Sequence, residues 1–314
     1  MSHLTYAEAM VIGLVQGVTE LFPVSSLGHS VLIPALVGGS WAQDLNVSRP
    51  ESPYLAFIVG LHVATAAALI FYFRRDWARI ITAFISSLRD RTIATPEQKL
   101  AWMIVLATIP VGLSGLALEH TFRVVFSKPV PTALFLTVNG LILLAGERAR
   151  RRSVERGVAP RPAMTAPAAR QHAMTAAGPG TAADRRLAGM GYGRAIVIGA
   201  MQVFALLPGI SRDGIVTVIG MFRGLSREDA VRYSFLLSAP VILAAGVLKI
   251  PDLFGPLGAG IHGQVLAGSL LSGLGAYFSV RFLVRYFSKA RSLAPFAIYC
   301  LIAGLGSLVW FAIR

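Results

Sequence analysis

Six stretches of mostly apolar residues run through this chain, at roughly 54–73, 100–118, 130–147, 233–250, 264–284 and 293–313. Each is close to the about 20 residues an α-helix needs to cross the hydrocarbon of a bilayer. No water is available there to satisfy a free N–H or C=O, so the backbone must close its own hydrogen bonds. Runs this long and continuous predict helices. Charge agrees, since only 14% of the residues are Asp, Glu, Lys or Arg, against roughly 25% in an average soluble domain. A net charge of +14 spread over a polar surface would point to nucleic acid. Here the basic residues interrupt apolar runs instead. A soluble nucleic-acid binder is excluded, and an all-α integral membrane protein is expected.

Two further apolar segments do not read as simple spans. Residues 7–37 are interrupted by Pro23-Val24-Ser25-Ser26, then Gly28 and His29, and residues 193–222 by Pro208-Gly209-Ile210-Ser211-Arg212-Asp213-Gly214. Each reads as a re-entrant hairpin of two short half-helices with a polar break. Between 148 and 192 the chain is rich in Arg, Ala, Pro and Gly without apolar periodicity, and reads as a flexible cytoplasmic linker. It separates a first repeat, 1–147, from a second, 193–314. The repeats match in order: Val11-Ile12-Gly13-Leu14-Val15-Gln16 with Val197-Ile198-Gly199-Ala200-Met201-Gln202, Pro23 with Pro208, and Ser26 with Ser211. Gly28 falls beside Asp213-Gly214. A hairpin plus three spans makes an odd number of crossings, so the second copy enters the membrane upside down. The expected plan is an inverted repeat of six transmembrane helices and two re-entrant hairpins, whose discontinuous helices meet at the site.

Basic residues mark the cytoplasmic side of membrane proteins. Segments 74–99, 148–194, 212–232 and 281–291 hold six, ten, four and four of the 29 Lys and Arg, and five remain elsewhere. This places both termini outside. The start, MSHLTYAEAM, lacks a basic region and carries Glu8, so it reads as mature chain and not a cleaved signal. The single cysteine, Cys300, excludes a disulfide framework and a Cys-based metal site.

The polar groups inside the breaks carry the chemistry. Gln16 and Glu20 share one helix face, as do Ser26 and His29. Ionisable groups at membrane depth are costly and point to function, whereas Ser25 is equally served by close helix packing. Arg212 and Asp213 are neighbours, and adjacent residues on a helix point about 100° apart, so Arg212 aims at something other than Asp213. Each break ends at a half-helix N-terminus with free N–H groups and partial positive charge. Arg212 adds a fork that matches phosphate oxygens. Glu20 would repel an anion unless it is protonated, acts as a base, or holds a bridging divalent cation. Ser26 and His29 then read as nucleophile and proton-transfer partner. A lipid phosphate or diphosphate is the expected substrate.

Gln16-Gly17-Val18-Thr19-Glu20-Leu21-Phe22-Pro23-Val24-Ser25-Ser26-Leu27-Gly28-His29 resembles the first signature of the bacterial undecaprenyl-diphosphate phosphatase (BacA) family. Leu207-Pro208-Gly209-Ile210-Ser211-Arg212-Asp213-Gly214 resembles its second. The resemblance continues through Leu61-His62, Phe73-Arg74-Arg75-Asp76, Ala107-Thr108-Ile109-Pro110, Ser234-Phe235-Leu236-Leu237 and Pro295-Phe296-Ala297-Ile298-Tyr299. It implies a multi-pass enzyme of the bacterial cytoplasmic membrane, its pocket opening to the extracytoplasmic side. Such an enzyme hydrolyses undecaprenyl diphosphate to the monophosphate, recycles the cell-wall lipid carrier and confers bacitracin resistance. It further implies a Mg²⁺ or Ca²⁺ requirement and catalytic Glu20, Ser26, His29 and Arg212, either Ser26 or His29 being the nucleophile. Gln16, Ser25, Gly28, Gly209, Ser211 and Gly214 line the substrate. Several positions depart from the pattern, among them the Thr expected after the second motif, where Ile215 and Val216 stand with Thr217 one step on. Gln16 stands where the best-known members have Glu, and Asp213 where they have Ser, which suggests Asp213 as a replacement cation ligand beside Glu20. Leu27 also replaces a small polar residue. Membrane lipids are expected partners, with Arg148 and Arg150 to Arg152 meeting anionic headgroups, and a homodimer is compatible with the sequence. A flippase of undecaprenyl phosphate, built on the same anion site, is the alternative.

Overall fold

Each of the six apolar runs folds as one helix. The structure, a computed structural model, describes residues 4–46, 53–155, 179–256, 258–289 and 291–313. The first half contains α1 (Tyr6–Leu21), α2 (Ser26–Val37), the short α3 (Gly39–Asp44), α4 (Pro53–Tyr72), α5 (Arg74–Asp90), α6 (Pro96–Phe126) and α7 (Pro129–Glu155). Then come α8 (Pro179–Ala188), α9 (Tyr192–Ala200) with a 3-10 turn over Met201–Leu206, and α10 (Arg212–Phe222). Last are α11 (Arg227–Phe254), α12 (His262–Ser288) and α13 (Ala294–Ala312). No strand occurs among the described residues. Five helices, α6, α7, α11, α12 and α13, are long and apolar enough to cross a bilayer on their own, and up to seven spans result if each bent pair counts as one. The molecule is therefore a helical multi-pass membrane protein. The bent pairs are α4 with α5, turning by 86°, and α8 with α9, turning by 91°.

Helices α1 and α2 are different. With 16 and 12 residues they rise about 24 and 18 Å, short of a hydrocarbon core about 30 Å thick. Helix α1 lies on α12 so closely that a Cβ at Gly13 or Gly17 would enter the backbone of Gly268 or Ser272. Gly199, the residue matching Gly13 in the second half, seats α9 against the Ala107 backbone of α6 in the same way. Helix α4 packs on α11, and α7 on α13. These pairings map onto one another when the two halves are exchanged.

The segment read as a linker holds helix at both ends. Helix α7 continues to Glu155 and α8 occupies Pro179–Ala188; residues 156–178 lie outside the described part. Ala and Arg are good helix formers even without an apolar stripe, and ion pairs anchor the result. Asp184 on α8 is fully buried between Arg79 of α5 at 2.8 Å and Arg232 of α11 at 2.9 Å. Arg186 grips both oxygens of Asp229, with bonds of 3.1, 2.9 and 2.8 Å. Composition alone does not show these partners.

Candidate active site

The two breaks meet. Pro23 follows the last turn of α1, and Ser25 starts α2 with φ at 68°, a left-handed conformation costly for a non-glycine residue. Its hydroxyl accepts from Gly28 N at 3.2 Å, capping α2, and from Gly209 N of the other break at 3.1 Å. Gly28 itself lies against Gly209, where a Cβ would stand 3.0 Å from the Gly209 Cα. Gly209 has φ at 109°, which favours glycine there. Ser211 caps α10 by accepting from Gly214 N at 3.1 Å.

Asn139 on α7, fully buried, fastens one break to the other. Its Oδ1 accepts from Ser211 N at 2.9 Å, and its Nδ2 donates to the Pro23 carbonyl at 3.0 Å. The sequence reading passed over it. The available signal was a lone amide inside the apolar run 130–147, since polar groups at membrane depth are retained when they have a partner.

Glu20 is the centre of the cluster. One carboxylate oxygen pairs with the Arg212 guanidinium, brought from α10 in the other half. The other accepts from the Ser26 hydroxyl and from Gln16 Nε2, the latter at 2.9 Å. Also facing it, at 3.5 Å, is Nε2 of His62 on α4, a second residue that the reading did not place in the site. His62 Nδ1 donates to the Ile58 carbonyl at 2.9 Å, which turns Nε2 toward Glu20 and Gln16. The Glu20 side chain is 4% exposed, that of Arg212 15% and that of His62 27%. An approaching anion therefore meets Arg212 and His62 before the carboxylate beneath them. Of the residues expected in the site, Glu20, Ser26, Arg212 and Gln16 converge. Ser25, Gly28, Gly209, Ser211 and Gly214 frame them as caps and close backbone contacts.

His29 takes a different place. Its Nδ1 meets the Ser25 carbonyl at 2.7 Å, and its Nε2 meets the Tyr299 hydroxyl of α13 at 2.6 Å with the two rings stacked. The expected pairing of Ser26 with His29 thus gives way to one of Ser26 with Glu20. Asp213 is also diverted. Its Oδ1 accepts from Ser234 at 2.5 Å and Ser238 at 2.6 Å, both on α11. The cause is helix geometry: one step of about 100° sends Arg212 toward Glu20 and Asp213 toward α11. Among the described residues no group of three His, Cys, Asp or Glu side chains is arranged to hold a metal ion. Buried oxygens left without a partner include Oε1 of Gln16 and Oδ2 of Asp213.

Sequence comparison agrees with this geometry. The chain is 62% identical over 313 residues to an undecaprenyl-diphosphatase of Mycolicibacterium paratuberculosis, covering 100% of this chain and 99% of that one. It is 55% identical to undecaprenyl-diphosphatase 2 of Frankia alni, over the full length of both. Undecaprenyl-diphosphatase 2 of Chromobacterium violaceum is 39% identical, over 96% of this chain and 98% of its own. The family model for bacitracin resistance protein BacA matches residues 9–306. With both breaks and nearly all the helices inside that match, the chain belongs to the BacA family.

Proposed function

We propose that this chain is a membrane-embedded phosphatase that converts undecaprenyl diphosphate to undecaprenyl phosphate and inorganic phosphate. The observation that carries the reading is the Ser26–Glu20–Arg212 array: a hydroxyl, a carboxylate that accepts its proton, and a phosphate-binding fork contributed by the other half. Arg212 and the N–H groups opening α2 and α10 hold the diphosphate. Ser26 Oγ attacks the terminal phosphorus, its proton passes to Glu20, and the bond to the lipid phosphate breaks. Water then cleaves the phosphoserine. His29 is the group proposed to activate that water, a role that requires its Nε2 to exchange the Tyr299 hydroxyl for the water. A flippase would need the anion cradle but would leave the Ser26–Glu20 contact without purpose.

A divalent cation, Mg²⁺ or Ca²⁺, fits at Glu20 and Gln16, because Gln16 Oε1 is a buried oxygen without a partner and hard cations combine carboxylate, carbonyl and phosphate oxygens. When bound, it would neutralise charge on the diphosphate. Asp213 is left outside this set because the two serines that hold its Oδ1 are on α11, although its Oδ2 is also a buried oxygen without a partner. The layout proposed is six spans and two re-entrant hairpins in inverted repeat. It is supported by the short α1 and α2 and by the exchange of packing partners between the halves. The basic segments support an orientation with the linker inside, and the family resemblance supports a place in the bacterial cytoplasmic membrane with the pocket open to the extracytoplasmic side.

The test is phosphate release from pure undecaprenyl diphosphate by the full chain, with and without chelator. Wild type is expected to release phosphate and to lose activity with chelator. Ser26→Ala should lower kcat by about 10³-fold or more. A Ser26→Ala protein turning over at the wild-type rate overturns the assignment of the nucleophile.

A further inference from the structure

The last three turns of α12 carry two parallel ridges. Arg281, Arg285 and Lys289 recur every fourth residue, and so do Phe278, Phe282 and Tyr286 beside them, a spacing that lines each set along one helix face. With Arg291 they line a groove of about 320 Å³. The two phenylalanines are 62% and 49% exposed. Phe282 stacks on Tyr286 at 5.6 Å, and the Arg291 guanidinium lies 5.5 Å from the Tyr286 ring centre. Elsewhere Arg79, Arg186, Arg227 and Arg232 are each matched to a carboxylate, while other basic residues among those described stand singly. Among the described residues none of the four groove cations has one.

We infer that this groove is a binding site for the phosphate of an anionic phospholipid in the cytoplasmic leaflet, separate from the site at Glu20. Four unpaired cations select an anion, and arginine matches phosphate oxygens through its fork. The exposed phenyl ridge faces the acyl region, so the anion that reaches the groove is one attached to a lipid. Basic pockets at the cytoplasmic ends of membrane helices take such headgroups. The choice of leaflet rests on the orientation proposed above; the site does not.

The experiment uses the full chain in phosphatidylcholine nanodiscs titrated with fluorescent phosphatidylglycerol, where no general surface charge attracts the probe. Arg281→Ala/Arg285→Ala is expected to bind about 30-fold more weakly, from roughly fivefold per basic residue, with phosphate release from undecaprenyl diphosphate unchanged. Arg89→Ala/Arg91→Ala, which removes the same charge from exposed positions at the C-terminal end of α5, should bind as wild type does. Equal binding by all three proteins, or an equal fall in both variants, overturns the site. Inorganic phosphate that competes as strongly as the lipid overturns the lipid assignment. If the double variant loses phosphate release, Lys289→Ala serves instead, with an expected fivefold loss; unchanged binding there also overturns the site. Labelling Lys289→Cys with an impermeant thiol reagent in inside-out vesicles tests the leaflet separately: labelling supports the cytoplasmic placement, and labelling in right-side-out vesicles alone overturns it.

Discussion

Glu20 gathers polar groups from four segments: Gln16 on its own helix, Ser26 across the break, His62 on α4 and Arg212 from the second half. A carboxylate buried this deeply depends on its counter-charge. Removing one partner of a buried pair typically costs 3–5 kcal/mol, because the other is left uncompensated. Arg212→Ala is therefore expected to lower thermal stability by an amount in that range and to abolish phosphate release. Arg212→Ala with Glu20→Gln should recover stability but not activity. If calorimetry finds Arg212→Ala as stable as wild type, Glu20 does not depend on this pair. Asp213 gives the opposite expectation. Its Oδ1 serves Ser234 and Ser238, so Asp213→Asn should leave the cation dependence of phosphate release as in wild type. A shifted cation optimum in the variant would return Asp213 to the ligand set.

At the scale of elements, the apolar runs were legible because lipid admits few backbone solutions, and α4, α6, α7, α11, α12 and α13 cover all six. The breaks were legible because Pro, Gly and polar side chains have few reasons to interrupt such runs. Glu20, Ser26 and Arg212 could be chosen on cost alone. His62 and Tyr299 could not, because each lies within a run read as span and is recruited only by packing against a break, and Asn139 offered only a lone amide in such a run. The pairing of Ser26 with Glu20 was hidden for the same reason, since it depends on how the chain turns through Phe22 to Ser25. The short strings shared by the halves carried more than similarity. Gly13 and Gly199 occupy matched positions and make matched approaches, to Gly268 and to Ala107. Gly13→Val and Gly199→Val are each expected to push their helix outward, costing about 1–3 kcal/mol or more, and to reduce phosphate release by misplacing Glu20 or Arg212. A Gly199→Val protein with normal melting and normal turnover would show that this approach does not position the second break.

For the molecule as a whole, part of the basic excess has three identifiable uses. One arginine reaches the site, several close ion pairs on the side that holds α5 and α8, and four line the groove on α12. The ion pairs tie together elements far apart in sequence, Asp184 joining α8 to α5 and α11. Asp184→Ala leaves Arg79 and Arg232 to share Asp76 alone, and is expected to cost about 1–3 kcal/mol while phosphate release in the surviving folded protein stays near wild type. A large fall in kcat without loss of stability would instead link α8 to the chemistry. The clasp between the breaks carries a consequence for how the protein is made. Ser25 finds Gly209 across 184 positions of chain, and Pro23 finds Asn139 across 116. At about 5–20 residues per second of synthesis, Ser25 waits roughly 10–40 s for its partner to be translated. During that interval the first hairpin has no second half to complete its hydrogen bonds. Catalytic competence is therefore a late event in the biogenesis of this protein, reached only after the second hairpin has inserted.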